Sequence, residues 1–384
     1  MRIIIPEKLA EEILQGKRVI VKKEFRLPEN IKPGTLVDIY DEKGNFICKA
    51  SANPYSNIVL RVISFEKDFD IKELFLERLK KAKKFRERFY KGTYRWVYSE
   101  ADFLSGLIVD KYNDIVVFQN SNPFFEKYKR ELVEAILEIE DIEAIYEKDK
   151  YRSRVLEGLK EVEKFWYGNK EETIIEEGKA RFYVNVVLGQ KTGFFLDQRE
   201  NRIFFEGIAE GKVLDVFAYT GGFGIHAALN PNVEKVVFIE KDEKATYYIK
   251  KNAELNDVKD KIEIIEGDAF KILPKLVDKG EKFDVVNLDP AGLAVSGVPK
   301  AKAMKSLYII NSFAIKLIKE GYLVTSDCSY YIHLEEFKEL IFKAIRYNKK
   351  EGKLFHIGRQ AFDHPVVSFH KELEYLKTLY IYIN

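Results

Sequence analysis

The residues able to do chemistry sit where short apolar runs end. Val213 to Phe217 leads into Asp215-Val216-Phe217-Ala218-Tyr219-Thr220-Gly221-Gly222-Phe223-Gly224, a turn whose glycines permit close approach of backbone to a ligand. Lys235 to Glu240 ends in a carboxylate about 20 residues past that turn, where both hydroxyls of a ribose can be bonded. Ile262 to Glu266 runs into Gly267-Asp268, a further carboxylate. Acid, glycine turn, acid and acid at successive strand ends suit an adenosine-containing ligand. The turn is not GxGxxG and the chain has no GK[ST] loop, so ligands with a phosphate to cradle fall behind. S-adenosylmethionine is the ligand expected, with Asp215, Phe217, Tyr219, Thr220, Gly221, Glu240 and Asp268 as its candidate contacts.

Two more strand ends carry reactive groups. Val285 to Asp289 continues into Pro290, the place where methyltransferases of this architecture orient a target base, so Asp289 is a candidate for both the cofactor and the catalytic site. Gly321 to Ser326 is followed by Asp327-Cys328-Ser329. A lone cysteine is commonly apolar filler, but polar flanks at the ligand end of a strand suit a nucleophile better. C5 of a pyrimidine is too poor a nucleophile to attack a methyl sulfonium directly. A thiolate added at C6 makes C5 enamine-like, and cysteine is suited to this because its thiolate is accessible near neutral pH and expels readily. Asp289 could then bond the base near N3 as charge builds there. Cys48 lies in a hairpin and reads as packing. Two cysteines and five scattered histidines exclude a disulfide framework and show no metal cluster.

The elements that must hold these residues fall into three parts. Residues 1–67 read as short strands with one early helix, Glu7 to Gln15, and a turn at Asp41-Glu42-Lys43-Gly44-Asn45, a small β-barrel pattern. Residues 68–175 are mixed α and β. They open on an amphipathic helix from Ile71 to about Tyr90 with Phe75, Leu79, Ala82, Phe85 and Phe89 on its apolar face. Residues 168–178 are polar and glutamate-rich, a linker by composition. In residues 176–384 short apolar strands alternate with helices, the signature of a doubly wound parallel sheet that binds ligands at its strand ends. The 384 residues carry 64 Lys or Arg against 62 Asp or Glu, which rules out a polycation. The balance hides an asymmetry, since Ile71 to Arg95 holds ten basic residues and three Glu. That bias suits either a solvated face or one that contacts phosphates. No apolar stretch is long enough to span a membrane, and the chain reads as soluble and cytoplasmic.

The chain resembles the large-subunit ribosomal RNA (cytosine-5-)-methyltransferase I family. The resemblance runs through Tyr94-Arg95, Gly106 to Tyr112, Ile145-Tyr146-Glu147 and Leu156 to Leu159. Its most specific stretch is Gly189-Gln190-Lys191-Thr192-Gly193-Phe194-Phe195-Leu196-Asp197-Gln198-Arg199-Glu200-Asn201-Arg202, and Asp363-His364-Pro365-Val366 and Glu374-Tyr375-Leu376-Lys377 close it. It implies an N-terminal PUA-type RNA-binding domain, a central α+β domain and a C-terminal Rossmann-like methyltransferase domain. It also implies that Asp197, Gln198 and Arg199 help close the cofactor pocket, and that Asp363 and His364 are candidates for a base. Where the family usually has Asp-Pro-Pro followed by Lys and an aromatic, this chain has Asp289-Pro290-Ala291-Gly292-Leu293. Where the family has Ser-Cys-Ser, it has Asp327-Cys328-Ser329. Leu293 cannot stack on a flipped base, which sets exocyclic nitrogen methylation behind a cysteine mechanism. The expected activity is formation of 5-methylcytosine in ribosomal RNA. Transfer to uridine C5 or to a ring or exocyclic nitrogen, or an RNA-binding protein that keeps the fold without catalysis, are the alternatives. The expected partners are RNA and a second copy of the chain in a homodimer, with no membrane.

Overall fold

The computed structural model of the chain describes residues 1–28, 30–290, 293 and 298–384. Ala291 and Gly292 of the Asp-Pro departure lie outside the described residues. Met1–Thr173, Val184–Phe194 and Phe362–Leu373 form one compact unit, and Ile174–Tyr183, Phe195–Ala361 and Glu374–Asn384 form another.

The first unit contains two sheets. β1 (Arg2–Ile4), β2 (Val19–Val21), β3 (Thr35–Tyr40), β4 (Phe46–Ala52) and β5 (Ile58–Ser64) are ordered β1-β3-β4-β5-β2. The β3–β4 turn is held by Asp41, whose Oδ1 accepts from Asn45 N at 2.7 Å, and Gly44 supplies φ 88°. Leu9, Ala10 and Ile13 of the helix Glu7–Leu14 belong to the apolar core of this sheet. Cys48 is buried there, and burial pushes its thiol up to about 12, as a packing residue requires. The second sheet is ordered β10-β9-β8-β7-β6, from β6 (Thr93–Tyr98), β7 (Leu107–Tyr112), β8 (Ile115–Asn120), β9 (Ala144–Asp149) and β10 (Val162–Tyr167). Asn113 takes φ 54° at the β7–β8 turn.

The second unit carries the seven-stranded sheet. Its strands are β13 (Gly211–Val216), β14 (Val233–Glu240), β15 (Ile262–Glu266), β16 (Phe283–Leu288), β17 (Ile318–Asp327), β18 (Gly352–Gly358) and β19 (Lys377–Ile383), which follow a hairpin of β11 (Glu172–Glu177) and β12 (Ala180–Asn185). The order β15-β14-β13-β16-β17-β19-β18 is parallel from β15 to β17, and β19 runs antiparallel to both neighbours. Strand order reverses between β13 and β16, so the crevice at their carboxyl ends is where a ligand belongs. The residues expected as a polar linker contain β11, and its Glu177 is buried. Among the described residues, no helix is long and apolar enough to cross a membrane.

Burial sorts the basic residues of the central helix, which spans Ile71–Arg86 and starts where Asp70 accepts from Lys72 N and Glu73 N. Phe75, Leu79 and Ala82 are buried, whereas Phe89, expected on the same face, lies past the helix end and is 46% exposed. Arg86, the last residue of the helix, is buried and bonded through both terminal nitrogens to Asp102 and through Nε to Arg95 O at 3.0 Å. Removing one partner of such a pair leaves a buried charge uncompensated, at a cost of about 3–5 kcal/mol. Asp102→Ala should therefore lower unfolding stability by that amount in urea titrations, and Arg86→Met combined with Asp102→Leu should restore most of it. A double variant no better than the single one would contradict this.

Candidate active site

The glycine turn is shaped by its packing. Gly221 has φ 87°, and Phe217 and Tyr219 also adopt left-handed backbone, with φ 63° and 51°. A Cβ on Gly224 would sit 2.1 Å from Phe238 Cε1, and one on Gly222 would sit 2.9 Å from Arg202 Cδ, so the helix Gly222–Leu229 can enter here only with glycine. Asp215 is buried and commits both oxygens within the protein, one to Gly224 N and one to Asn287 Nδ2, each at 2.8 Å. Burial pushes its carboxyl up to about 7 against those two bonds. Asp215 therefore positions the turn. Glu240 fastens the turn to the next strand, with Oε2 accepting from Tyr219 N and Oε1 from Lys241 N, both at 2.8 Å. Asp268 is exposed and caps the helix Ala269–Asp278, where Oδ1 accepts from Phe270 N at 3.0 Å.

A buried network ties the Asp197-Gln198-Arg199 segment to these strand ends. Glu177 accepts from Arg202 Nη2 at 2.8 Å and Arg199 Nε at 3.3 Å, and His226 Nε2 lies 3.2 Å away. Burial alone would raise this carboxyl, but the Arg202 guanidinium outweighs it and holds Glu177 well below the usual carboxylate range. Burial likewise opposes the charged form of His226, yet Glu177 and Glu206 on its two nitrogens raise its pKa. The helix Arg199–Ile208 is anchored in this way, and the turn before it presents Gln198. Gln198 Nε2 donates to Asp289 Oδ1 at 3.1 Å and to Ser326 Oγ at 3.3 Å, and Gln198 Oε1 accepts from Asn201 Nδ2 at 2.6 Å. One side chain thus joins the ends of β16 and β17. Asp197 accepts from the Tyr375 hydroxyl at 2.6 Å.

Leu288 pairs with Thr325 across these strands, so Asp289 and Cys328 both follow the same rung. Cys328 is exposed. Its turn is clamped by Asp327, which pairs with Lys377 Nζ at 2.7 Å and accepts from Ser329 Oγ at 2.8 Å, while Lys377 also donates to Ile332 O at 2.7 Å. The acid that replaces the family's serine therefore has a partner. Asp289 keeps part of its surface accessible. Burial, followed by the charge of Asp197, pushes it up to about 7, with Arg202 and Gln198 opposing.

The residues present fit S-adenosylmethionine. The buried Thr220 Oγ1 and Asn287 Oδ1 at the turn have no hydrogen-bond partner among the described residues, and a ligand rich in hydroxyl and amino groups could supply one. Asp363 and His364, the candidates for a base, are bonded to each other. Both are buried in the first unit, where Asp363 accepts from Arg95 N at 2.8 Å and bonds His364 Nδ1 at 2.7 Å. Glu126, Glu147 and Asp149 come within 4.8 Å of one another in the same unit, but Lys129 and Arg154 already neutralise them. Sequence reasoning missed Glu177, Arg202, His226, Asn201, Ser326 and Lys377. The signal for Lys377 was the Glu374-Tyr375-Leu376-Lys377 stretch itself, which supplies partners for Asp197 and Asp327.

Residues 3–65 match the family of the PUA-like domain, and residues 195–306 match the family described as Conserved hypothetical protein 95. A solved chain provisionally named a methyltransferase and complexed with S-adenosylhomocysteine superposes with a TM-score of 0.85 over 100% of both chains, at 20% identity. The fold is that of an α/β S-adenosylmethionine-dependent methyltransferase with an N-terminal PUA-like domain. Ribosomal RNA large subunit methyltransferase I of Tolumonas auensis is 35% identical over 359 residues, 91% of this chain and 90% of the relative. A Methanocaldococcus jannaschii protein provisionally named ribosomal RNA large subunit methyltransferase is 42% identical over 377 residues, 97% and 94% of the two chains. The chain belongs to the ribosomal RNA large subunit methyltransferase I family.

Because Asp289 holds its proton to about 7 in the fold, the unfolded chain ionises first as pH rises from about 4, and folding stability falls across that window. Asp289→Asn cannot ionise. Its unfolding free energy relative to wild type should improve by on the order of 1–3 kcal/mol between pH 4 and pH 8. A difference that stays constant with pH would contradict the assignment.

Proposed function

We propose that the chain is an S-adenosylmethionine-dependent methyltransferase of large-subunit ribosomal RNA that forms 5-methylcytosine through a Cys328 thiolate adduct at C6. The observation that carries this reading is the exposed Cys328 thiol in a clamped turn beside the strand end of Asp289. S-adenosylmethionine supplies an electrophilic methyl group on a sulfonium. Gln198, Thr220, Gly221, Glu240 and Asp268 are the residues proposed to hold it, with Asp197 and Tyr219 beside them. Asp215, Phe217 and Arg199 set the backbone and helix that carry them. Residues 1–67 are assigned to RNA binding, 68–175 to a central domain and 176–384 to catalysis, with the cytoplasm as the workplace.

Cys328 Sγ bonds to C6, and the C5–C6 π pair becomes available at C5 while charge spreads to N3. Asp289, poised near neutrality, gives N3 a hydrogen bond as that charge grows. C5 takes the methyl group as its bond to the sulfonium breaks and leaves a neutral thioether, a base removes the C5 proton, and the S–C6 bond breaks as the C5–C6 double bond returns. Leu293 packs against the apolar core of the sheet, which favours this route over nitrogen methylation with a stacking aromatic. Uridine C5 would use the same steps.

Cys328→Ala should bind S-adenosylmethionine by calorimetry as wild type does and lose at least ~10³-fold in methyl transfer to unmodified ribosomal RNA. Mass-spectrometric mapping of the wild-type product should find 5-methylcytosine. Full activity in the variant, or a methyl group on nitrogen, would overturn the thiolate route. Failure of the wild type to bind cofactor would overturn the enzyme.

A further inference from the structure

We infer that the outer face of the helix Ile71–Arg86, with the turn that follows it, is a docking surface for single-stranded RNA. It would grip phosphates with Lys80, Lys84, Arg88 and Lys91 and stack a base on Phe89 and Phe362. The inference rests on RNA being the substrate.

The ten basic residues between Ile71 and Arg95 divide into two sets. Lys72, Lys83, Arg86 and Arg95 pair with Glu138, Glu140, Asp102 and Asp110, and Arg78 donates to the carbonyls of Phe103 and Ile63. Lys80, Lys81, Lys84, Arg88 and Lys91 are exposed, and among the described residues none of them has an ion-pair partner. Lys80, Lys84 and Arg88 line one open groove with Lys83, Glu87 and Ile139. Lys80 and Lys84 are one helical row apart, about 6 Å along the axis. The single acid in the groove, Glu87, is engaged by Lys83 at 3.4 Å, so the groove stays positive.

Two exposed rings adjoin this charge. Phe89 is 46% and Phe362 54% exposed, with centroids 5.2 Å apart. Tyr90 lies nearly parallel to Phe362, at 12°, and its hydroxyl accepts from Phe362 N at 3.1 Å, which fixes the platform. A solvated face intersperses both signs and does not expose paired phenylalanines. Unpaired cations beside rigid aromatic faces are the composition of single-strand nucleic-acid platforms. A membrane surface would need a broad apolar face, but Phe75, Leu79 and Ala82 are spent on the core.

The test uses the full chain and a single-stranded oligoribonucleotide across a salt series. Lys80→Gln/Lys84→Gln/Arg88→Gln should melt as wild type does and lower the slope of log affinity against log salt by about 2. Phe89→Ala/Phe362→Ala should keep the slope and weaken binding about 5- to 100-fold. Wild-type slope and affinity in both variants would overturn the inference. So would wild-type capture of a polyglutamate probe without affinity for RNA, which would mark a face for acidic proteins. A wild type that binds RNA as predicted but transfers no methyl group would sink the enzymatic reading and leave this surface standing.

Discussion

Glu177 can stay ionised in the interior only because Arg202 and Arg199 surround it, with His226 bonded beside them. The geometry of the candidate site depends on this arrangement. The carboxylate belongs to the hairpin ahead of the sheet, and its partners belong to two helices packed beside it. With the helix Arg199–Ile208 fixed, the preceding turn presents Gln198, and Gln198 in turn joins Asp289 to Ser326. A continuous path therefore runs from a buried ion cluster through Gln198 to the strand end beside Cys328. Such a cluster is weak evidence for stability. Its worth is in fixing one geometry.

Two neighbouring strand ends carry acids that burial pushes to about 7, and they do different work. Asp215 spends both oxygens on Gly224 and Asn287, so it serves the glycine turn. Asp289 bonds Gln198 through one oxygen and keeps part of its surface accessible, which is what a group meeting a substrate needs. The cysteine turn is organised by a charge pair. Asp327 and Lys377 pin the backbone on both sides of Cys328 and leave the thiol exposed.

The parallel sheet and its strand ends were legible because the strands are continuous apolar runs and the turns carry glycine or an acid. The anchoring network was not. Glu177 sits in a stretch as polar as a linker, and its burial follows from partners that come from distant parts of the chain. The structural part played by Asp363 and His364 was not legible either, since Asp363 accepts from the backbone of Arg95 and bonds His364. Phe89 kept the helical period, but the helix ended three residues earlier, at Arg86, and left the ring outside the core. A net charge of only +2 likewise hid which cations were already paired.

Cys328 is proposed to bond covalently to a pyrimidine during the reaction. RNA carrying 5-fluorocytidine tests it, because fluorine replaces the proton that must leave C5 and the adduct cannot resolve. Incubation with S-adenosylmethionine, followed by digestion and mass spectrometry, should yield a Cys328-containing peptide joined to a methylated fluorocytidine. A fluorocytidine RNA that leaves Cys328 unmodified while ordinary RNA is methylated would contradict the account.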